Sequence, residues 1–152
     1  MKSNGVVDII DNSAAFIAAV EAAAEVAMDA VGMQAASACA RELQRSPSRI
    51  DTGLLKNSIT WAVGGKPAAI SSYSADRPSK TTGKMPPSGS YSGTAPADTD
   101  KTKSVYVGTN VEYAFYVHDG TKYMAPNHFI KNGISKNSSK LLGIIKTTLQ
   151  NV

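Results

Sequence analysis

Residues 13–45 carry a helical hydrophobic period over a fifth of the chain, and no other feature restricts the fold as much. Phe16, Ile17, Val20, Ala24, Met28, Val31, Ala35 and Cys39 recur at spacings of three and four, while Glu21, Glu25 and Asp29 make a separate stripe. The spacing predicts one long helix, capped by Asn12 or Ser13. Ser46 should stop it, because the residue before a proline, here Pro47, avoids helical backbone. Alanine dominates the segment, being the best helix former, and its small side chain also lets a neighbouring helix or subunit approach closely. Gly32 is the expected weak point. Three acids within residues 14–31 argue against a membrane span, and the N-terminus lacks the continuous apolar run of a secretory signal. A cytoplasm-like setting is expected.

A chain of 152 residues is expected to form one domain with one modest core, burying roughly two thirds of its unfolded surface. Hydrophobic residues make up 42% and charged residues only 18%, which leaves few charges to solvate a free surface and favours an oligomer. The net charge of +4 permits contact with DNA but is weaker than that of a dedicated nucleic-acid binder. A single cysteine rules out an internal disulfide, and with only two histidines a structural zinc site is not expected. No cofactor is expected either: "VGGKP" at 63–67 lacks both the glycine spacing and the Ser or Thr after lysine that a phosphate loop needs.

The expected fold class is α+β: a long N-terminal helix, a small antiparallel sheet with a long inserted loop, a short helix and a C-terminal helix. In "SITWAV", Ile59, Trp61 and Val63 alternate with polar or small neighbours, the pattern of a half-buried strand. Residues 104–109, "SVYVGT", read as its antiparallel partner, with Val105 and Val107 on one face and Tyr106 on the other. The connection at about 64–104 is rich in Gly, Pro, Ser and Thr and holds few large aliphatics, so it cannot offset the entropy of its own ordering by apolar burial. It carries Lys66, Arg77, Lys80, Lys84, Lys101 and Lys103 against Asp76, Asp98 and Asp100, which places most of the net positive charge there. These basic residues are the candidate contacts to DNA phosphates or an acidic partner, on a flexible arm that orders on binding.

Beyond the second strand, Asn110 is the expected cap of a short helix reaching about His118, with Gly120 ending it. A short strand at about 121–125 should follow. Residues 129–150 read as one closing helix, capped by Asn127 and weakened by Gly133 and Gly143, with Ile130, Ile134, Leu141, Leu142, Ile145 and Leu149 on its apolar face.

The tripeptide Asp51, Thr52, Gly53 is that of retroviral-type aspartic proteases, where two such loops share one proton between close carboxylates. Here it follows a long helix and "SPSR", and it precedes Leu54, Leu55 and Lys56, whose charge would hold the carboxylate ionised. The protease reading is therefore remote. Asp51 or Thr52 is better read as the cap of a one- or two-turn helix at 53–57. His118 beside Asp119 could orient an imidazole, but no nucleophile has a local signature; His128 reads as a polar surface position and Cys39 as a small buried hydrophobe. No enzymatic constellation emerges.

Three short blocks carry a resemblance instead. The first is Thr52, Gly53, Leu55, Ser58 and Ile59; the second is Tyr113, Ala114, Tyr116, Val117, Gly120 and Thr121; the third is Phe129 and Ile130 at the closing helix. In this order and spacing the chain resembles the tail-completion proteins of long-tailed bacteriophages, also described as neck, head-tail joining or minor tail proteins. His118 stands where that family often has Glu, and His128 where it has the proline before Phe129. The resemblance implies a non-enzymatic virion protein with an α+β fold, assembled as a ring, commonly a hexamer, at the head-proximal end of the tail. Its partners would be itself, the tail terminator or tube proteins, and the head connector or stopper proteins, with nonspecific contact to DNA in the channel and none to a membrane. Tail terminator and head-closure proteins are small ring-forming α+β proteins too, and stand as the alternative.

Overall fold

The computed structural model describes residues 11–99 and 103–152. Lys101, one of the basic candidates, lies outside the described residues. The fold is α+β, in the order α1 (Ser13–Gln44), α2 (Leu54–Ser58), β1 (Thr60–Val63), β2 (Ser72–Tyr73), β3 (Gly89–Ser90), β4 (Val105–Gly108), α3 (Ala114–Asp119), α4 (Phe129–Ser135) and α5 (Ser138–Gln150). Among the described residues, no helix is long and apolar enough to cross a membrane.

The long helix forms as its period predicts, with different end chemistry. Asn12 makes no side-chain cap; the Asp11 carboxylate accepts the Ser13 N–H at 2.9 Å, while the Asn12 carbonyl accepts that of Phe16. Burial begins only at Ala27 and continues through Val31, Ala35, Ala36, Ala38, Cys39 and Leu43. Phe16 and Ile17 remain 64% and 55% exposed, so among the described residues the first turns of α1 present an apolar surface.

The second half of α1 is the backbone of the core. β1, β4, α4 and α5 all pack on it. Strands β1 and β4 pair antiparallel, with Trp61 opposite Val107 and Ala62 opposite Tyr106, as the alternation of both segments requires. One buried cluster joins Ala36, Cys39, Leu43, Leu55, Ile59, Ala114, Val117 and Phe129; a smaller one joins Val31, Ala35 and Leu141. Gly32 proves to be a packing device rather than a weakness. A Cβ there would lie 2.3 Å from the Trp61 ring, whose Nε1–H is donated to Asp29 Oδ1 at 2.8 Å.

The predicted closing helix is two helices. It breaks at Lys136–Asn137, where Asn137 donates its side-chain amide back to the Gly133 carbonyl at 2.7 Å. The break lets α4 pack on the C-terminal half of α1 and α5 on its middle. Gly133 makes the first contact possible: a Cβ there would sit 2.7 Å from the Cys39 Cα. Buried Glu42 holds the same junction, bonded to Lys136 at 3.1 Å and Arg45 at 3.2 Å. Asn127 is not the cap of α4; its side chain donates to the Glu42 carbonyl. Of the predicted apolar face, Leu141 is buried and Ile145 packs near it, but Leu142 is 66% exposed.

Residues 121–125 do not form a strand. They close a turn with a single Thr121–Met124 bridge, and Gly120 ends α3 at φ +79°, as expected. Asn110 does not cap α3: its side-chain amide donates to the Ser90 carbonyl and its oxygen accepts the Tyr73 hydroxyl, so it belongs to the inserted segment's attachment.

Candidate functional site

The inserted segment, expected to lack structure of its own, follows a path set by polar bonds to the body. β2 and β3 form a second two-stranded antiparallel sheet, Tyr73 and Tyr91 pack with ring centroids 5.5 Å apart, and Ala75 is buried. The Tyr91 hydroxyl donates to the Ser58 carbonyl, and Asp98 accepts the Ser104 N–H at 2.9 Å. Composition correctly excludes an apolar core for this segment. It misses attachment through hydrogen bonds to an already folded surface, which has no periodicity to read.

Asp51 has a different task from the one its position suggests. It does not cap α2. Its carboxylate accepts the Lys80 N–H at 3.0 Å and the Ser79 hydroxyl at 2.8 Å, and these two bonds hold it below the usual carboxylate range. Gly53 occupies the cap position of α2 at φ +84°, a conformation only glycine takes without strain, and Thr52 Oγ1 accepts the Leu54 N–H at 3.2 Å. A second tether lies nearby. Asp76 accepts Asn57 Nδ2 at 2.7 Å and Lys56 Nζ at 3.1 Å, which lowers its pKa for the same kind of reason. Between these tethers, α2 and residues 79–87 lies a cleft of about 500 Å³ whose wall includes Arg49, Lys84, Met85 and Tyr113.

The motif residues divide by role. Thr52, Leu55, Ser58, Ile59, Ala114, Val117 and Phe129 are buried, and Ile130 packs on the same cluster. Ser58 donates to the Leu55 carbonyl at 2.7 Å and shares a hydrogen bond with Thr109, so one buried hydroxyl ties α2 to the end of β4. Gly120 and Thr121 shape the turn after α3. Tyr113 borders the cleft and is 43% exposed, while Tyr116 at 57% packs on Phe115 at 66%, and Tyr123 is 90% exposed. Phe115 and Tyr123 lie in the same aromatic stretch but outside the motif positions.

Arg77, Lys80 and Lys84 gather around Asp51, whereas Lys66 pairs with α1. Lys66 pairs with Glu25 of α1 at 3.4 Å, Arg77 Nε donates to the Asp51 carbonyl at 2.7 Å, Lys80 is held through its backbone, and Lys84 borders the cleft. Lys103 is exposed. Cys39 is fully buried, and burial pushes its thiol up to about 11, as suits an inert hydrophobe.

His118, Asp119 and His128 come together at the α3–α4 turn, each offering a ligand atom within 4.8 Å of the others. No protein-family model, curated protein or solved structure matches the chain.

Proposed function

We propose that this chain is a structural, non-enzymatic virion protein, one subunit of a homo-oligomeric ring at the head-proximal end of a phage tail. The ring, commonly a hexamer in the family it resembles, joins the tail to the head connector and lines the passage for DNA. Its neighbours would be tail terminator or tube proteins on one side and connector or stopper proteins on the other; it would assemble in the host cytoplasm and remain in the virion neck.

One observation carries this reading. Among the described residues, the subunit exposes apolar side chains in two distant places: Phe16 and Ile17 in the first turns of α1, and Tyr113, Phe115, Tyr116 and Tyr123 around α3. The core packs α3 near Cys39, and at about 1.5 Å per helical residue that position lies roughly 35 Å from Phe16 along α1. A ring needs two unlike surfaces on each subunit that meet around an axis, whereas a twofold dimer needs only one. Exposed aromatics at this density call for a partner.

The geometry argues against the protease alternative. Both oxygens of the Asp51 carboxylate are taken up by Ser79 and Lys80 of its own chain, the arrangement of a loop tether rather than of a carboxylate turned toward a second one. Arg77 is engaged by the Asp51 carbonyl and Lys66 by Glu25 within the subunit, which favours assembly over dedicated DNA binding. In phage lacking this gene, electron microscopy should show separate filled heads and finished tails. Overlong tails would make the protein a terminator, and normal joined particles would end the proposal.

A further inference from the structure

We propose that His118, Asp119 and His128 form a binding site for one divalent transition metal ion of the zinc class, linking the end of α3 to the start of α4. The three come from two elements. His118 and Asp119 end α3, and His128 immediately precedes α4. The intervening turn is fixed by the Thr121–Met124 bridge and by the Asn127 N–H bonded to the Val117 carbonyl at 2.9 Å.

The donor geometry is close to what such an ion requires. Ligands about 2.0–2.2 Å from a tetrahedral zinc lie roughly 3.3–3.6 Å from one another. His118 Nδ1 and Asp119 Oδ1 are already 2.8 Å apart, and the whole set lies within 4.8 Å, so small side-chain rotations bring all three to one ion. The histidine rings sit edge to face with centroids 5.2 Å apart. His118 also packs on the ring of Phe129, which is fully buried, so one ligand is positioned before any ion arrives. Two imidazoles and one carboxylate suit zinc, cobalt, nickel or copper and not calcium or magnesium, which take oxygen ligands.

Three protein ligands leave a fourth position. A shallow cavity of about 330 Å³ bordered by His118, Asp119, Phe115 and Ile130 can admit water or a side chain to complete it. The role assigned is structural: the ion replaces one His–Asp hydrogen bond with three coordinate bonds across a turn.

The test uses the full chain. Titration with Co²⁺, followed by its visible ligand-field absorption, should show one ion per chain, displaced by Zn²⁺. Zn²⁺ should also raise the Tm. His128→Ala and Asp119→Asn, checked for retained fold by circular dichroism, should each weaken Co²⁺ binding by about tenfold or more, since even outer-shell changes cost that much. The competing description is a His–Asp hydrogen bond with stacked imidazoles and no metal. Absence of Co²⁺ binding by the unaltered chain, or an affinity in the folded variants equal to that of the unaltered chain, would overturn the site.

Discussion

Gly133 and Gly143 look alike in the sequence, two glycines in a helical segment, and the structure gives them opposite energetic signs. A helical glycine costs about 1 kcal/mol relative to alanine. At Gly143 no atom lies within 4 Å of an added Cβ, so Gly143→Ala should stabilise the protein by roughly 0.5–1 kcal/mol. At Gly133 the Cβ would meet the Cys39 backbone, which cannot rotate aside, and α4 would have to move off α1. Overpacking of this kind costs about 1–3 kcal/mol, so the clash outweighs the propensity gain and Gly133→Ala should destabilise. Urea denaturation of both variants reads the two signs directly. Phe129, fully buried in the main cluster, sets the upper end of the scale: Phe129→Ala should cost about 3–5 kcal/mol in the same measurement.

Among the elements, the inserted segment depends most on a few charged groups. Asp51 and Asp76 both have folded-state pKa values lowered below 3.8. A lowered pKa means that the carboxylate's contribution is complete above its unfolded value and is lost as the pH falls through the folded one. The attachment should therefore hold at neutral pH and down to about pH 4, then loosen below it. The protection factor of the Lys80 amide, measured by NMR exchange and corrected for the intrinsic rate at each pH, should fall in that acid window while amides of α1 from Ala35 to Leu43 stay protected. Unchanged protection of Lys80 at low pH would remove Asp51 from this role. At neutral pH, Asp51→Ala should speed tryptic cleavage after Lys80 and Lys84 with little change in global stability. Persistence of the wild-type cleavage rate would count against the tether. The element-level surprise at the other end, the split of α4 from α5, has the same kind of cause: Glu42, Lys136 and Asn137 satisfy a helix break that lets two short helices follow the surface of α1.

For the whole molecule, the exposed Phe16 and Ile17 in the first turns of α1 are the feature that the described residues of a solitary subunit explain least. Phe16→Asp with Ile17→Asp alters side chains that touch little within the subunit, so circular dichroism and Tm should remain near those of the unaltered chain. If that surface joins subunits, sedimentation should show the ring reduced to monomers. A ring that survives the double substitution would move the interface elsewhere. Deleting residues 70–100 is a harsher change, since it removes the Tyr91 and Asn110 bonds as well as the arm; it should leave α1 and its core folded and, under the proposed function, impair head-tail joining.

The sequence by itself determined the elements whose signal is local and periodic. The long helix, the pairing of β1 with β4, the helix before Gly120 and the burial of Cys39 all follow from spacing, alternation and backbone preference. The motif blocks likewise marked the residues at which these elements meet, although their polar details stayed hidden. Tertiary structure alone decided which chain-distant groups share a bond. It gave Asp51 to Ser79 and Lys80 rather than to α2, divided the last helix at Asn137, turned Gly32 and Gly133 into contact points, and brought His128 to His118 and Asp119. Periodicity reports which face of one element is apolar. It carries no information about which surface that face will meet, or about single hydrogen bonds and close approaches fixed only after the core has formed.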